Sequence, residues 1–417
     1  MKFATILFFI LAGVNAHAQW QVQNIGISSR YDDVFFINDS IGFTSDGYYG
    51  RFYKTNNGGL NWEFNYQFDS YIRSVEFVTP LIGYCGSLDS ALYKTIDGGN
   101  SWTDITNLIS PKPPGICGLS APSADVIYGC GKWSSPAFII KSIDSGNTWT
   151  TYDLSSVANC LIDVCFLNKD TGFATGRSSI AAEGGIILMT IDGGLNWTTR
   201  YKTMVPNDYV WKIQSPDGLN YYASLDAQPN SNNVRILKSV DEGLNWNTII
   251  VDTVYNYTQA VGFIDSLKGW TGGDHTLYET QNGGILWSKI ILGSDYCRFF
   301  KVNDSTAFLT GSQIYKYQSG NLASISSLIP DKIGHKILLK TNPIQDLLIC
   351  EIKISNRTEC ILDIYDNKGT KMISLFKGYK DEGTFNYTIN FSNYSAQTYF
   401  VVLNTNEGMI YQKGVKK

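Results

Sequence analysis

Short apolar segments alternate with turns rich in Gly, Asn and Asp along most of the chain, a pattern typical of antiparallel strands. An eight-residue unit recurs six times among these segments. It runs Ser or Thr, any residue, Asp or Asn, any residue, Gly, two further residues and Trp. Its tryptophans are spaced 40–49 residues apart, at Trp62, Trp102, Trp149, Trp197, Trp246 and Trp287. A period of this length is typical of the blades of a propeller.

A second pattern precedes the unit: an apolar strand, a turn and then, in most repeats, Gly followed by an aromatic residue, as in Gly42-Phe43. With a third strand entering the unit and a fourth following its Trp, each repeat supplies one four-stranded blade. The segment from Phe299 to Tyr317 supplies three strands but lacks the unit. Trp20-Gln21-Val22 resembles the strand that follows each Trp. The sequence therefore predicts an all-β, seven-bladed β-propeller whose N-terminal strand completes the last blade.

The polar positions of the unit indicate a structural role. An Asp or Asn at the third position can accept hydrogen bonds from backbone N–H groups of the turn, and the fixed Gly tolerates a positive φ. The Trp is expected to pack between neighbouring sheets. Six copies of one turn are hard to explain as six active sites. We therefore expect structural roles for the six tryptophans and for Asn57, Asp97, Asp144, Asp192, Asp241 and Asn282.

The N-terminus is typical of an export signal. Lys2, an apolar run from Ile6 to Val14 and a small-x-small sequence predict a signal peptide, residues 1–18, that is cleaved after Ala18. That run is too short to span a bilayer, and no later segment is long and apolar enough, so we expect no transmembrane segment. The propeller is expected over 19–320 and a linker over 321–336. Alternating strands predict a small C-terminal, Ig-like β-sandwich over 337–417.

The repeated unit resembles the Asp-box, or bacterial neuraminidase repeat, of a family of β-propellers. Its Thr-x-Asp-Gly-Gly-x-x-Trp form is most similar to the photosystem II assembly-factor-like group. The resemblance covers roughly residues 20–320. It implies the fold and leaves the activity open, because one fold hosts many functions.

Residues 337–417 resemble the type A sorting domain of the type IX secretion system. The resemblance rests on Asn342-Pro343, Ile364-Tyr365-Asp366-Asn367-Lys368-Gly369, Tyr399-Phe400-Val401-Val402 and Lys413. Thr341 stands where the family usually has Pro, and Gln397 stands where it commonly has Gly. The resemblance implies that 337–417 interacts with the type IX secretion machinery. The protein would then cross the outer membrane and be secreted or attached to the cell surface.

Composition excludes several other classes of protein. A net charge of −4 with scattered Lys and Arg gives no basic face, so no nucleic-acid partner is expected. Only His275 and His335 remain after cleavage, and the eight Cys form no CxxC pair, so we expect no metal, no cofactor and no Ser-His-Asp triad. Export permits disulfides. Cys117 and Cys130 lie on adjacent predicted strands, either as a bridge or as two buried small residues.

The long insertions all fall on the face opposite the repeated units. Aromatic planes with scattered polar groups suit sugar rings or extended peptides, so we expect an extracellular glycan or protein ligand on this face. Ordinary loop variation is the alternative for each residue, and Trp211 has a second interpretation as a core residue of a first strand. The candidate binding residues are Trp133, Arg177, Glu183, Tyr209, Trp211, Gln228, Tyr48, Tyr49 and Arg51.

Two functions remain after these exclusions. The preferred hypothesis is a non-enzymatic secreted or surface binding protein, for which no catalytic residue is predicted. The alternative is a sialidase- or xyloglucanase-like glycoside hydrolase, because carboxylates alone can cleave glycosides. Resemblance to sialidases would imply an Arg-Ile-Pro motif, and the chain has none. The loop acids Asp226, Asp274 and Asp295 remain for a xyloglucanase-like pair, and nothing in the sequence selects two of them.

Overall fold

The structure is a computed structural model. It describes residues 20–23, 25–26, 29–226, 233–254, 256–319, 335–366, 371–405 and 408–416. The chain divides after Ser319 into two compact units. The expected signal peptide with Ala18, most of the expected linker and Gln228 lie outside the described residues. In the ranges just given, no helix has both the length and the apolar character needed to cross a membrane.

The first unit contains seven antiparallel sheets of four strands each, which are the blades of a β-propeller. Strand β1 (Trp20–Val22) precedes blade 1, which contains β2 (Tyr31–Phe36), β3 (Gly42–Asp46), β4 (Arg51–Thr55) and β5 (Glu63–Gln67). Blade 2 contains β6 (Ile72–Phe77), β7 (Gly83–Ser87), β8 (Leu92–Thr95) and β9 (Thr103–Asp104). Blade 3 contains β10 (Gly118–Ser120), β11 (Ile127–Cys130), β12 (Phe138–Ser142) and β13 (Thr150–Asp153). Blade 4 contains β14 (Ala158–Phe166), β15 (Gly172–Ser178), β16 (Gly185–Thr190) and β17 (Thr198–Lys202). Blade 5 contains β18 (Tyr209–Gln214), β19 (Tyr221–Asp226), β20 (Val234–Ser239) and β21 (Asn247–Asp252). Blade 6 contains β22 (Ala260–Phe263), β23 (Gly269–Gly272), β24 (Leu277–Thr280) and β25 (Ser288–Ile290), and blade 7 contains β26 (Phe299–Lys301), β27 (Thr306–Thr310) and β28 (Ile314–Gln318). Two short 3-10 turns span Thr106–Leu108 and Ala181–Glu183.

Blade 7 takes its fourth strand from the N-terminal side of the propeller. Strand β1 pairs antiparallel with β28, and Trp20 lies opposite Tyr317. The Trp20 indole also packs edge-on against Trp270 of blade 6, with ring centroids 5.1 Å apart. The predicted closure of the ring is confirmed. It covers the edge of β28 that would otherwise be open to pairing with another chain.

The repeated unit, called the box below, is a turn held by its own side chains. The hydroxyl at position one accepts the N–H of the fixed Gly at 2.8–3.0 Å. The Asp or Asn at position three accepts the N–H of position seven at 2.8–2.9 Å. Hydrogen bonds from Ser101 to Asp97 and from Thr148 to Asp144 lower the pKa of each carboxyl to about 2. These carboxylates are therefore engaged within their own turns.

In blades 1, 2, 3 and 5, the fixed Gly of the box packs against an aromatic ring of the preceding blade. A Cβ atom at Gly243 would lie 2.3 Å from Phe173 of blade 4, and one at Gly146 would lie 2.8 Å from Tyr84 of blade 2. The Trp of the same box completes the contact, since Trp246 meets Phe173 edge-on with ring centroids 6.3 Å apart. Because a larger residue would push the ring away, Gly and Trp together set the distance between neighbouring blades.

Lysines add a polar contact at the same interfaces. Four Lys side chains on third strands donate to the carbonyl at position four of the next box, at 2.7–2.8 Å. The pairs are Lys94 with Ser145, Lys141 with Gly193, Lys238 with Gly283 and Lys316 with Gly58. The last pair joins blade 7 to blade 1, so the closing interface is built like the others.

A further set of hydrogen bonds links the blades around the axis. In five successive interfaces, a side chain of a first strand accepts a backbone N–H at the first strand of the next blade, at 2.9–3.1 Å. The pairs are Asp33 with Val75, Glu76 with Ala121, Ser120 with Phe166, Asp163 with Ile213 and Gln214 with Phe263. The first strands are thereby held in register around the axial channel.

Of the two alternatives for Cys117 and Cys130, the bridge is not formed, and both residues are buried free thiols. Their backbones do meet, because the N–H of Cys117 donates to the carbonyl of Cys130 at 3.1 Å. Their side chains pack in different clusters: Cys117 contacts the group that includes Trp211, and Cys130 lies between blades 3 and 4 with Leu161. A disulfide needs converging Cβ–S directions, which pairing of adjacent backbones does not supply.

Within its described residues, the second unit contains seven strands in two antiparallel sheets. They are β29 (Lys336–Leu339), β30 (Leu347–Ile354), β31 (Thr358–Tyr365), β32 (Lys371–Lys380), β33 (Gly383–Asn390), β34 (Thr398–Thr405) and β35 (Gly408–Val415). The sheets have the orders β29-β30-β33 and β32-β31-β34-β35, and residues of both form one apolar cluster. Buried Lys416 donates to the carbonyls of Phe391 and Ser392. The Ig-like topology expected for this unit stays a prediction.

We expect Gly243→Ala to lower the free energy of unfolding by about 3 kcal/mol, because it combines an unfavourable positive φ with a clash against Phe173. Gly218→Ala is the matched control. Its φ is +78°, against +77° at Gly243, but the nearest atom to a new Cβ lies 3.5 Å away. The control should therefore lose only about 1 kcal/mol. Denaturant titration measures both losses, and equal losses would contradict the packing argument.

Candidate binding face

The boxes and the turns that join first and second strands lie at the same end of the blades. In each blade the box is hydrogen-bonded to that turn, as in Gly193 N–H to the carbonyl of Asp170 at 2.8 Å and Gly283 N–H to the carbonyl of Leu267 at 2.8 Å. We call this end the box face. The turns between second and third strands and the connections between blades lie at the other end, which we call the loop face.

On the loop face, residues of blades 3 and 5 form an aromatic cluster of Trp133, Tyr209 and Trp211. Trp133 lies in the turn between β11 and β12, and the other two residues lie on β18. The rings of Trp133 and Trp211 are near-parallel, with an interplanar angle of 23° and centroids 5.9 Å apart. Arg177 of β15 lies 5.4 Å above the Tyr209 ring and donates to its hydroxyl at 3.2 Å. The structure thus brings four of the predicted residues together.

The two tryptophans of the cluster differ in exposure. The Trp133 side chain is 40% exposed, whereas Trp211 is 6% exposed and packs with Cys117 and Cys160. The Trp211 Nε1–H is buried and has no hydrogen-bond partner among the described residues. A buried donor without an acceptor costs free energy. Buried Trp211 therefore supports the cluster from below, and Trp133 forms the exposed surface of the cluster.

Glu183 does not join the aromatic cluster in any contact that the structure describes. Its carboxylate pairs with Lys202 at 2.7 Å and accepts the Ser178 hydroxyl. These bonds, from Lys202 first and then Ser178, hold the pKa of Glu183 below its usual value. Glu183 therefore fastens the short turn Ala181–Glu183 to the neighbouring strands, and its carboxylate is occupied.

The predicted residues of blade 1 form a separate patch. Tyr48 and Tyr49 are 71% and 56% exposed, and their rings meet edge-on with centroids 5.0 Å apart. Arg51 lies 4.6 Å above the Tyr49 ring and pairs with buried Asp46. No described contact joins this patch to the aromatic cluster. Apart from Glu183, the candidate residues that the structure describes therefore form two separate patches on the loop face.

A buried polar layer, which the sequence reasoning missed, lies beneath the aromatic cluster. The guanidinium groups of Arg30 and Arg73 both donate to Gln259 Oε1, at 2.9 and 3.1 Å, and both pair with Asp32. Arg73 also lies 6.0 Å below the Trp211 ring. The signal was present in the chain, since Asp32 and Arg73 interrupt otherwise apolar first strands. This layer supports the aromatic cluster from inside the channel.

A second ion-pair layer crosses the axial channel closer to the box face. Arg298, which precedes β26, pairs with Asp33 of blade 1 at 3.3 Å and with Asp163 of blade 4 at 2.9 Å. Lys212 of blade 5 joins Asp163 at 3.3 Å. Burial opposes the charge of Arg298, but Asp163 and Asp33 outweigh burial and raise its pKa. Together the two layers fill the axis with side chains, which separates the loop face from the box face.

The three loop acids interact electrostatically. Burial, followed by the charges of Asp274 and Asp208, raises the pKa of Asp226 to about 7. Burial also raises the pKa of Asp274, with Asp295 contributing in the same direction. The Oδ1 atom of Asp226 is buried without a partner among the described residues. Asp226 is therefore the carboxyl in this group with an unsatisfied acceptor.

These features define a class of protein: an all-β propeller with structural boxes on one face, an elaborated loop face and a separate C-terminal β-unit. Residues 342–417 match the family described as the secretion system C-terminal sorting domain. The expectation of a type IX sorting domain is confirmed. The protein is exported by this system to the cell surface or beyond it.

The propeller is similar to Ycf48 proteins, as the resemblance of the repeats indicated. It is 23% identical over 321 residues to the photosystem II assembly lipoprotein Ycf48 of Synechococcus sp. (strain CC9902), covering 70% of this chain and 86% of the relative. A solved structure of YCF48 bound to D1 peptide superposes with a TM-score of 0.56 at 17% identity, over 72% of this chain and 96% of that one.

A second similar structure belongs to the type IX secretion system itself. PorZ of Porphyromonas gingivalis, a surface component of that system, gives a TM-score of 0.53 at 11% identity, over 94% of this chain and 60% of its own. At these identities the solved structures establish the fold alone.

The raised pKa of Asp226 predicts a pH-dependent stability. An unfolded Asp ionises near pH 4, so between that pH and pH 7 the folded protein keeps a proton that the unfolded chain has lost. Stability is therefore lost as the pH rises through this window. Asp226→Asn removes the buried charge and should raise the free energy of unfolding by about 3 kcal/mol at pH 8, with little change at pH 4.

Thermal melts of the wild type and Asp226→Asn at the two pH values measure this effect. Asp69→Asn, at an exposed position, is the control. An equal stabilisation by Asp226→Asn at both pH values would show that the gain does not come from ionisation.

Proposed function

We propose that the protein is a non-enzymatic extracellular binding protein whose loop face binds an extended segment of another protein at the aromatic cluster. The observation that carries the proposal is the exposed indole of Trp133, stacked on buried Trp211. An exposed aromatic plane on a fixed support loses little conformational entropy when a partner covers it. Tryptophan is also among the residue types enriched at binding hot spots.

The surroundings of the cluster indicate the chemistry of the partner. Arg177 presents a guanidinium group beside Tyr209, where it also donates to Asn207 at 3.0 Å. An aromatic surface beside a cation suits a segment that carries apolar and acidic side chains. The solved YCF48 structure has a peptide bound to the same fold, which supports a protein segment over a glycan as the first candidate.

Rigidity of the platform supports the same proposal. Trp133, Tyr209 and Arg177 come from blades 3, 5 and 4, and these blades are linked by the box contacts and by the hydrogen bonds around the axis. A site assembled from three linked blades keeps its shape without the ligand. Preorganisation of this kind lowers the cost of binding.

A glycoside hydrolase is the second candidate, and one observation favours it. Burial and the charge of Asp274 raise the pKa of Asp226 to about 7, and a protonated carboxyl near a second carboxyl can serve as the acid of a glycosidase. Turnover of any substrate in a glycan panel, abolished by Asp226→Asn, would establish this activity. It would also contradict the non-enzymatic proposal.

We expect Trp133→Ala to weaken binding about tenfold or more without changing the melting temperature, because the exposed indole contributes contact area and little to the core. The experiment screens the purified protein against peptide and glycan arrays and then measures the affinity of the best ligand. Leu286→Ala, which removes a 71% exposed side chain from the box face, is the matched control.

The two arrays separate the classes of ligand. Binding to peptides that Trp133→Ala abolishes supports the proposal. Binding to glycans that Trp133→Ala abolishes would mean that the ligand at this site is a sugar and not a protein segment. Binding that neither Trp133→Ala nor Arg177→Met affects would place the ligand elsewhere and overturn the proposed site.

A further inference from the structure

The box face holds a cavity of about 340 Å³ at the mouth of the axial channel. Ser215, Pro216 and Val302 line its rim, and all three lie in turns between first and second strands. Arg298 and Lys212 of the second ion-pair layer also line the cavity. Because side chains of the two polar layers fill the axis above, this cavity is separate from the loop face. Its volume falls within the range of small-molecule pockets.

Part of the cavity wall is apolar. Phe35 and Phe300 contribute aromatic rings with centroids 5.2 Å apart, and Val164 and Val261 lie on other blades around the axis. The hydrogen bonds between first strands that involve Ser120 and Gln214 fix the backbone behind this wall. A wall that combines apolar side chains with polar groups suits a small molecule that has both an apolar body and a polar group.

Polar groups of the cavity keep hydrogen-bonding capacity that the described contacts do not use. The Nη2 group of Arg298 has no hydrogen-bond partner among the described residues, since its ion pairs use Nε and Nη1. Lys301 donates to the carbonyl of Pro216 at 3.0 Å and pairs with Asp304, whose side chain is 96% exposed. Glu76 accepts the N–H of Ala121 with Oε1, and no bond of its Oε2 is described.

Three cations, Arg298, Lys212 and Lys301, lie around the cavity, and each has a carboxylate partner. Asp33 and Asp163 are buried within the ion-pair layer, whereas Asp304, the partner of Lys301, is 96% exposed, so solvent screens that pair. Burial raises the pKa of Glu76 to about 8, so Glu76 is neutral at pH 7 and offers an O–H donor. A carboxylate on an apolar body therefore complements the donors of the cavity and the apolar part of its wall.

We propose that this box-face cavity is a second binding site, which takes a small molecule carrying a carboxylate on an apolar body. The carboxylate lies between Arg298, Lys301 and Glu76, and the apolar body packs against Phe35 and Phe300. The site shares no lining residue with the aromatic cluster on the loop face, so a ligand at one face does not block the other face.

Phenylacetate is the probe for this site, and phenylacetamide is its uncharged match. Calorimetric titration of the full purified protein at pH 6.5 should show phenylacetate binding about tenfold or more tightly than phenylacetamide, because only the acid pairs with the cations. Lys301→Met should weaken phenylacetate about fivefold or more. Lys169→Met, at an exposed position in a turn of the same face, and Trp133→Ala should leave the affinity unchanged.

The pH dependence supplies a second test that needs no destabilising variant. Above pH 8 the Glu76 carboxyl loses its proton and repels the ligand, so the affinity of the wild type should fall about tenfold between pH 6.5 and pH 9.5. Glu76→Gln keeps a donor and should remove most of this dependence. The other groups that face Glu76 are Arg298, Asp33, Asp163, Lys212, Lys301 and Cys165, and burial raises the pKa of the Cys165 thiol to about 12.

Three outcomes would overturn the proposal. They are equal affinity for phenylacetate and phenylacetamide, an affinity unaffected by Lys301→Met, and an affinity lost in Trp133→Ala. The absence of measurable phenylacetate binding at any of these pH values would also overturn it, because the probe carries both features that the cavity complements. Failure here leaves the loop-face proposal standing, since that proposal depends on different residues.

Discussion

The propeller depends on one kind of contact, which blades 1, 2, 3 and 5 share: the glycine and tryptophan of the box meet an aromatic ring of the preceding blade. A four-stranded sheet of this size cannot bury both of its faces alone, so each blade is stable only against its neighbours. At Gly243 the backbone comes so close to Phe173 that no larger residue fits, and Trp246 covers the same ring from its edge. Blade 7 has no box, and there Trp20 packs against Trp270 of blade 6 in place of a box tryptophan. This contact helps to close the ring of blades.

Closure of the ring has a consequence for function. The first strands converge on the axis with charged side chains that must find partners, because an unpaired buried charge is costly. They find them across the axis, as when Arg298 of blade 7 reaches Asp163 of blade 4. The same pairs that satisfy these charges fill the channel, so the protein presents two independent surfaces. The loop face carries the aromatic cluster, and the box face carries a cavity with unused donors.

The fold could be predicted from the sequence because its determinants are local and repeated. The box is a short turn whose residues bond to each other, so its pattern is visible without knowing any distant contact, and six copies at blade-length intervals define the blades. The candidate site was predicted only in part. Trp133 and Trp211 lie on different blades, and their stacking, like the support from Arg73, depends on non-local geometry that no residue spacing reveals. The choice between a Cys117–Cys130 bridge and two buried thiols stayed open for a related reason, since strand adjacency does not fix side-chain direction.

The most direct test of the central claim is a double-mutant cycle on Trp20 and Trp270, which joins the closing strand to the neighbouring blade. The free energy of unfolding is measured for Trp20→Ala, Trp270→Leu and the double variant. If the edge-on contact of these rings closes the propeller, the two losses are non-additive, with a coupling energy of about 1 kcal/mol. Strict additivity of the two losses would contradict the account, because it would mean that the closing strand and blade 6 do not stabilise each other.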